Sequence, residues 1–432
     1  MLSLLLALSM SPKSYIPEPS RVVVYEANLR ALGPKVGFQA LANRLDSIKQ
    51  LGVNVLWIMP VQPVGKVKLA GGLGSPYAVA DFDAINPEFG TANDFRRLVD
   101  SAHKRGIAVL IDWVPNHTAW DHPWVKAHPD WYTKDAAGNI TIPAGTNWQD
   151  VADLNYGMAP LRKAMIQAMQ GWIKRYDLDG FRIDTADYVP FEFWKEAVHS
   201  VRSASRRPLF MLAEGFRADH YKAGFDITFG WPFFDGLRAI YGGASAKKLQ
   251  VHVAQEAKDI PKGARRLRFT TNHDKAAWEG TTREFFKTDV GARGAFVAMA
   301  FHGGVPLIYT GQEANWQSRI PIFEHSSIDW IGEAREGRWI GQLMKLRDSN
   351  LAFREGTLVD LSTDDAIIFS KSKGRNQAVV IVNPRDREVI APLPGLIHGV
   401  WKDGLSGKSV KVVSSIKVPA YGFLIWVRMV TK

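Results

Sequence analysis

Short apolar runs alternate with stretches of helical spacing along most of this chain. That alternation restricts the fold more than anything else in the sequence. The apolar runs fall at residues 22–25, 53–59, 107–114, 181–184, 209–213, 267–270 and 305–309. Between them lie helix-like segments at 37–51 (with Leu41, Leu45 and Ile48 in step), 95–104, 161–176, 193–201 and 292–301, and a last one near 335–347. Buried strands separated by helices are parallel strands joined by helical crossovers. About eight such units suit a closed (β/α)8 barrel better than an open sheet. Periodicity alone leaves a doubly wound sheet open.

The ends of these runs favour the barrel, whose functional site is built from strand C-termini. Residues 180–184 read Gly-Phe-Arg-Ile-Asp. Alternation along a strand puts Arg182 and Asp184 on one face and Phe181 and Ile183 on the other. A guanidinium beside a carboxylate keeps it ionised near neutral pH, as a nucleophile for sugar chemistry requires. From these five residues alone, a structural ion pair is an equal reading. Three other stretches end in the same manner: Asp112-Trp113-Val114-Pro115-Asn116-His117, Met211-Leu212-Ala213-Glu214 and Thr270-Thr271-Asn272-His273-Asp274. A lone Glu at the edge of an apolar strand should have a raised pKa and retain a proton to donate. Single strands often end in polar residues, but a run of such endings pairing carboxylates with Asn, His or Arg points to a site. Serine-hydrolase chemistry is a poor alternative, because no G-x-S-x-G elbow exists. There is no H-E-x-x-H zinc motif. Gly71-Gly72-Leu73-Gly74 neither follows a strand nor opens a helix and reads as a flexible loop, not a phosphate cradle.

The barrel accounts for residues 21–355. The stretch 117–153 is polar and rich in Trp, Asp, His and Pro, too long for a plain connection, and reads as an inserted subdomain. From 356 to 432 the pattern becomes strand-like runs split by turns, which predicts a C-terminal antiparallel β-sandwich. The chain lacks cysteine, which excludes disulfides, Cys-ligated metals and a thiol nucleophile. Its formal net charge of +11 is spread along the chain, and the densest basic cluster, 262–268, has no stacking aromatics, so a solvated surface is favoured over a nucleic-acid site. Residues 1–20 begin with a short apolar segment and read as a leader or weak secretion signal, with secretion or the periplasm expected and the cytoplasm as the alternative. No later segment reaches the length of a membrane span.

The four stretches, in this order, resemble the signature regions of the α-amylase superfamily, glycoside hydrolase family 13. The likeness extends to 52–63 as a second strand, to the tyrosine-bearing loop Ser75-Pro76-Tyr77-Ala78-Val79-Ala80-Asp81, and to 304–313 as an eighth strand. It implies an α/β fold: a (β/α)8 barrel with a short inserted loop subdomain and a C-terminal antiparallel β domain. It implies Asp184 as nucleophile, Glu214 as general acid/base and Asp274 as the third carboxylate. Arg182 then orients the nucleophile, His117 and His273 hold the glucose ring, Tyr77 stacks on it, and Asp81 and Asp112 support it. The implied activity is retaining cleavage of α-1,4 bonds in starch-derived maltooligosaccharides or α-glucans, with no nucleic-acid partner and no cofactor required. A transglycosylase or isomerase of the same superfamily is the alternative, and an inactive carbohydrate-binding homologue the third reading, opposed by the intact acid residues.

The chain departs from this pattern at Asp187 and Tyr188, where many endo-acting relatives carry Lys-His. Thr185 stands where α-1,6-specific relatives often carry Val, which favours α-1,4 bonds. Asn116 matches the family's calcium-binding Asn and is the candidate ligand for a structural calcium ion. The other candidate oxygens, Asp121, Asp130, Asp135 and Asp150, lie in the insert, and the reading leans towards no tight site.

Overall fold

The computed structural model describes residues 14–33, 36–258 and 260–430. Most of the expected leader, residues 1–13, lies outside the described residues. Eight parallel strands close a barrel: β1 Val24–Ala27, β2 Val55–Ile58, β3 Ala108–Trp113, β4 Gly180–Ile183, β5 Phe210–Ala213, β6 Ile227–Phe229, β7 Arg265–Arg268 and β8 Val305–Tyr309. Each strand pairs with the next, and β8 pairs back onto β1 with Val24 opposite Leu307. The doubly wound alternative is thereby excluded.

The helices form where apolar residues recur on one face and caps fix the ends. In Ala92–Lys104, Phe95, Leu98, Val99 and Ala102 are buried, and Thr91 with Asp94 forms a capping box. Ala159–Tyr176 buries Leu161, Met165, Met169, Trp172 and Tyr176 and stops at Asp177, whose φ is 57°. That left-handed residue turns the chain directly into β4.

Two strands differ from the sequence reading. β6 is missing from it: three residues, Ile-Thr-Phe, are too few to show a period, and their burial comes from neighbours on either side. β7 was expected at 267–270 but begins at Arg265, because a strand carrying Arg265, Arg266 and Arg268 does not look apolar. Arg266 and Arg268 are nonetheless buried, with Arg268 paired to the buried Glu256.

The insert opens and closes on paired strands, His117–Ala119 and Val151–Asp153, with His117 opposite Asp153. Beyond the barrel, six antiparallel strands run in the order Thr357–Asp360, Ile367–Lys373, Asn376–Val382, Phe423–Met429, Gly399–Asp403 and Ser409–Val412. A second pair, Val389–Pro392 with Ser415–Val418, packs against this sheet over Ile368, Val379, Ile381, Trp401 and Trp426. The opposite face, with Ile367, Phe369 and Val380, joins the core of the barrel.

Where that sheet meets the barrel floor, cations are buried. Lys371 Nζ donates to the carbonyls of Phe353 (2.6 Å) and Phe301 (3.5 Å). Burial, reinforced by Arg347 and Arg265, pushes its pKa down to about 7. Burial likewise takes His302 down to about 3 and Arg347 to about 10. Among the described residues, no helix is long and apolar enough to cross a membrane.

Candidate active site

The mouth of the barrel gathers the polar strand ends. Alternation turns Arg182 and Asp184 inward, while Phe181 packs outward on Trp113 with ring centroids 5.5 Å apart. The ladder sets Asp112 beside Arg182. Arg182 is fully buried and connects the acids. Its Nη1 donates to Asp112 Oδ1 and Oδ2 at 2.7 and 2.9 Å and to Asp184 Oδ1 at 2.9 Å. Its Nη2 stands 2.7 Å from Glu214 Oε1, an ion-pair contact rather than an aligned hydrogen bond. Behind it lie the rings of Trp57 and Phe229, 4.7 and 5.6 Å from the guanidinium carbon.

Glu214 has a second anchor. The backbone N–H of Thr185 donates to its Oε2 at 2.8 Å. Thr185 adopts φ 41° and ψ 42°, a left-handed conformation that costs a β-branched residue on the order of 1–3 kcal/mol. The strained turn aims that N–H at the acid.

Charge follows from this packing. Burial raises Asp112 and Asp184 to about 6 against the opposing pull of Arg182, so both are carboxylates at neutral pH. Burial raises Glu214 further, to about 7, with the Asp184 and Asp274 charges adding to it while Arg182 opposes. Glu214 therefore retains a proton where Asp184 has lost its own.

A chain of hydrogen bonds supports the same cluster from β1. Glu26, fully buried, accepts from Nδ1 of His273. His273 Nε2 meets the Tyr77 hydroxyl at 2.8 Å, and that hydroxyl donates to Asp112 Oδ2 at 3.1 Å. Burial disfavours the His273 charge, but Asp274 and Glu26 outweigh it and raise the pKa to about 9. His273 is thus an imidazolium, stacked on Tyr77 at 5.3 Å. His117 is the opposite case: burial lowers it to about 4, so it is neutral. Tyr77, His117, Asp184, Glu214, His273 and Asp274 all line one open cleft of about 980 Å³.

The family described as "Alpha amylase, catalytic domain" matches residues 35–148. α-Amylase MalA of Haloarcula japonica is 26% identical over 428 residues, spanning 92% of this chain and 61% of its own. α-Amylase 2 of Dictyoglomus thermophilum is 25% identical, spanning 90% of this chain and 71% of its own. The solved maltogenic α-amylase AmyB from Thermotoga neapolitana superposes with a TM-score of 0.85 at 29% identity, over 95% of this chain and 99% of that one. The chain is similar to α-amylases over nearly its whole length. It spans less than two thirds of the length of the Haloarcula relative.

Most of the site residues read from the sequence meet in this cleft, with Asp112 and Arg182 beneath it. Asp81 does not. Its carboxylate accepts the Asp83 amide at 2.8 Å within its own turn, and it is absent from the cleft lining. Asn116 is buried, with its amide nitrogen 3.2 Å from His117 Nδ1. Two of the insert's candidate carboxylates are engaged elsewhere: Asp121 takes the Lys66 amide and Asp135 caps its own turn. No group of three or more His, Asp or Glu side chains poised for a metal occurs among the described residues.

The departure at 187 and 188 has a structural role. Asp187 accepts from His220 Nε2 at 2.7 Å and from the Phe216 amide at 2.8 Å, and so braces the loop that follows Glu214. Tyr188 is exposed and set edge-on to Trp148. Of the insert's tryptophans, Trp148 lines the cleft, whereas Trp131 is buried in packing. The glycine-rich 71–74 segment is not a free loop. Gly71 (φ 65°) lies so close that a Cβ there would sit 2.7 Å from Phe323 Cβ.

Sequence reasoning missed Glu26 and Trp57, whose indole donates to Asp112 Oδ2 at 3.1 Å. The signal for Glu26 was a lone acid inside the apolar run 22–27.

Proposed function

We propose that this chain is a retaining glycoside hydrolase acting on α-1,4-glucosidic bonds of maltooligosaccharides or α-glucans through a covalent glycosyl-enzyme intermediate. The observation that carries this reading is the placement of Asp184 and Glu214 on the two terminal nitrogens of one buried guanidinium. Carboxyls held that way are spaced for the short, roughly 5 Å separation of retaining enzymes, with little room for the extra water of an inverting one.

The geometry supplies each step. Asp184, ionised, attacks the anomeric carbon while Glu214 passes its proton to the glycosidic oxygen, and the leaving sugar departs with that proton. Glu214, now a carboxylate, takes a proton from water, whose oxygen attacks the same carbon and releases Asp184. The positive charge that builds on the sugar lies near the Asp184 and Asp274 carboxylates, and the Tyr77 ring offers it a face to stack on. Any calcium would be structural, with no step routed through it. The test is the product profile on graded maltooligosaccharides, with the anomeric form of the first product followed by NMR. An inverted anomer would sink the reading.

A second reading, transglycosylation, rests on Trp148 and Tyr188. These two aromatics line the same cleft as Glu214, edge-on to each other at 6.1 Å, and offer faces on which an acceptor sugar can stack. Longer or rearranged chains among the products would favour it.

A further inference from the structure

Across the mouth from Glu214, two loops that belong to different strands are fastened into one wall. The loop after β2 is pinched at its neck by a bridge between Val64 and Val79 and by the Gly65 amide on the Ala78 carbonyl (2.8 Å). Its outer limb is held by Asp121, which takes the Lys66 amide. Its tip lies on the loop after β8: the Leu73 amide donates to the Phe323 carbonyl at 2.8 Å, and Gly71 allows the close approach.

A single buried side chain ties the two together. Arg30, only 2% exposed, follows β1, between them. Its Nη1 donates to the carbonyls of Gly74 (2.7 Å) and Ile322 (2.9 Å), and its Nη2 to that of Leu73 (3.2 Å). Glu88 fixes the guanidinium through both carboxylate oxygens, each at 2.9 Å, and accepts from His325 at 3.0 Å. The Arg30 carbonyl holds the Ser326 amide at 2.9 Å. Five guanidinium bonds to two loops and a carboxylate make a rigid joint, since a buried Arg fork with satisfied donors has one geometry.

The wall faces the site. Leu69 and Ala70 from one loop and Ile322 and Phe323 from the other line the cleft, and Trp278 leans edge-on against Phe323 at 5.3 Å. In an eight-strand ring, β4 and β5 stand opposite β8 and β1. The leaving sugar must lie on the Glu214 side, because Glu214 protonates its oxygen. The sugar chain attached to the attacked ring therefore runs the other way, towards the wall.

Resting on the hydrolase reading above, we propose that the Arg30-locked wall closes the glycone side of the cleft. The enzyme then takes the non-reducing ends of α-glucans and releases short products, rather than cutting within chains. Leu69, Phe323 and Trp278 give the terminal sugar an apolar and aromatic surface to rest on. A chain interior would have to pass through the Leu73–Phe323 contact.

The experiment compares nitrophenyl maltoheptaoside with the same compound carrying a 4,6-ethylidene block on its non-reducing sugar. The expected kcat/KM of the intact protein is at least about tenfold lower on the blocked substrate, the size of effect that a steric clash in a closed pocket produces. Replacing residues 67–73 by a short Gly-Ser link, which leaves Arg30 and the strands in place, should bring the two rates together. Equal cleavage of both substrates by the intact protein overturns the wall. So does a loop-shortened variant that cleaves the open substrate yet still rejects the blocked one. Cleavage of neither substrate by the intact protein sinks the hydrolase reading itself. Arg30→Lys gives a second measure. It retains the charge but loses the fork, so blocked-substrate cleavage should rise, and an unchanged ratio in a variant with native circular dichroism counts against Arg30 as the joint.

Discussion

Arg182 at the mouth of the barrel and Lys371 at its floor are both buried, but they have opposite company. Arg182 contacts three carboxyl groups, those of Asp112, Asp184 and Glu214. Lys371 bonds to two backbone carbonyls, with Arg347 and Arg265 close enough to repel it. The mouth buries an excess of acid around Arg182, and burial, with the acids' mutual repulsion adding to it, lifts several pKa values into the neutral range. The floor spends burial on cations that have nothing to react with.

The two regions should respond to pH with opposite sign. Asp112, Asp184 and Glu214 have folded values of about 6, 6 and 7, above the usual carboxyl range, and His273 has about 9. A raised pKa means tighter proton binding in the fold. The stability it brings is complete below the unfolded value and is lost as pH climbs through the folded one. The mouth therefore loses stability from about pH 4 to pH 9. Lys371 is lowered to about 7, so its penalty is greatest near and below pH 7 and is relieved as pH rises towards about 10.4. The floor gains stability where the mouth loses it.

The sharpest way to break this contrast is at Asp184. Asp184→Asn keeps the volume and removes the attacking charge, and kcat on maltotetraose should fall at least about 10⁴-fold. Thermal unfolding at pH 7 should be no worse than for the parent, because a carboxylate with a raised pKa is lost. Near-normal turnover by the folded variant would refute its role. Glu214→Gln comes next, with a loss of roughly 10³-fold on maltooligosaccharides and a smaller loss on nitrophenyl maltoside, whose leaving group needs little protonation. Pre-steady-state rates are the proper readout, since the second step still needs the base. Equal losses on both substrates would remove Glu214 as the acid.

Lys371→Met tests the floor. It should leave kcat unchanged and add about 2 kcal/mol to stability near pH 7, a gain that shrinks by pH 10. Urea unfolding at the two pH values measures it, and a destabilised variant at pH 7 would mean that the carbonyl bonds outweigh the buried charge. Glu26→Gln probes the mouth from beneath. Without that carboxylate His273 should titrate at lower pH, cutting kcat by about tenfold at pH 7. Its activity should recover on the acid side, whereas a uniform loss at all pH values would indicate packing damage alone. The smallest effect concerns metal: chelator should shift the melting temperature by no more than about 2 °C, because Asp121 and Asp135 of the insert are already engaged by backbone amides. A large drop, reversed by calcium, would show that the insert binds the ion tightly.

Much of the mouth was legible because its residues sit at the ends of short apolar strands, where a carboxylate stands out against Val, Ile and Phe. The rest depended on folding back. Glu26 acquires its meaning only when His273, from the far end of the barrel sequence, lies over it. Asp81 looked like a site residue by its place in the 75–81 loop, yet its carboxylate is spent on the Asp83 amide of its own turn. Gly71 to Gly74 read as loose because glycine is permissive, and here that permissiveness serves a tight contact with Phe323. The floor was invisible, since Lys371 lies in a strand whose register alone decides which way it points.

The insert begins and ends on one rung, where His117 pairs with Asp153. The histidine that faces the cleft is therefore set by the barrel end of the hairpin and not by the segment beyond it. Residues 120–150 form a cassette. Exchanging it would replace Trp148 and the neighbouring cleft surface while leaving the His117 ring in place. Selectivity in this scaffold can thus drift by loop replacement without disturbing the groups that make and break bonds.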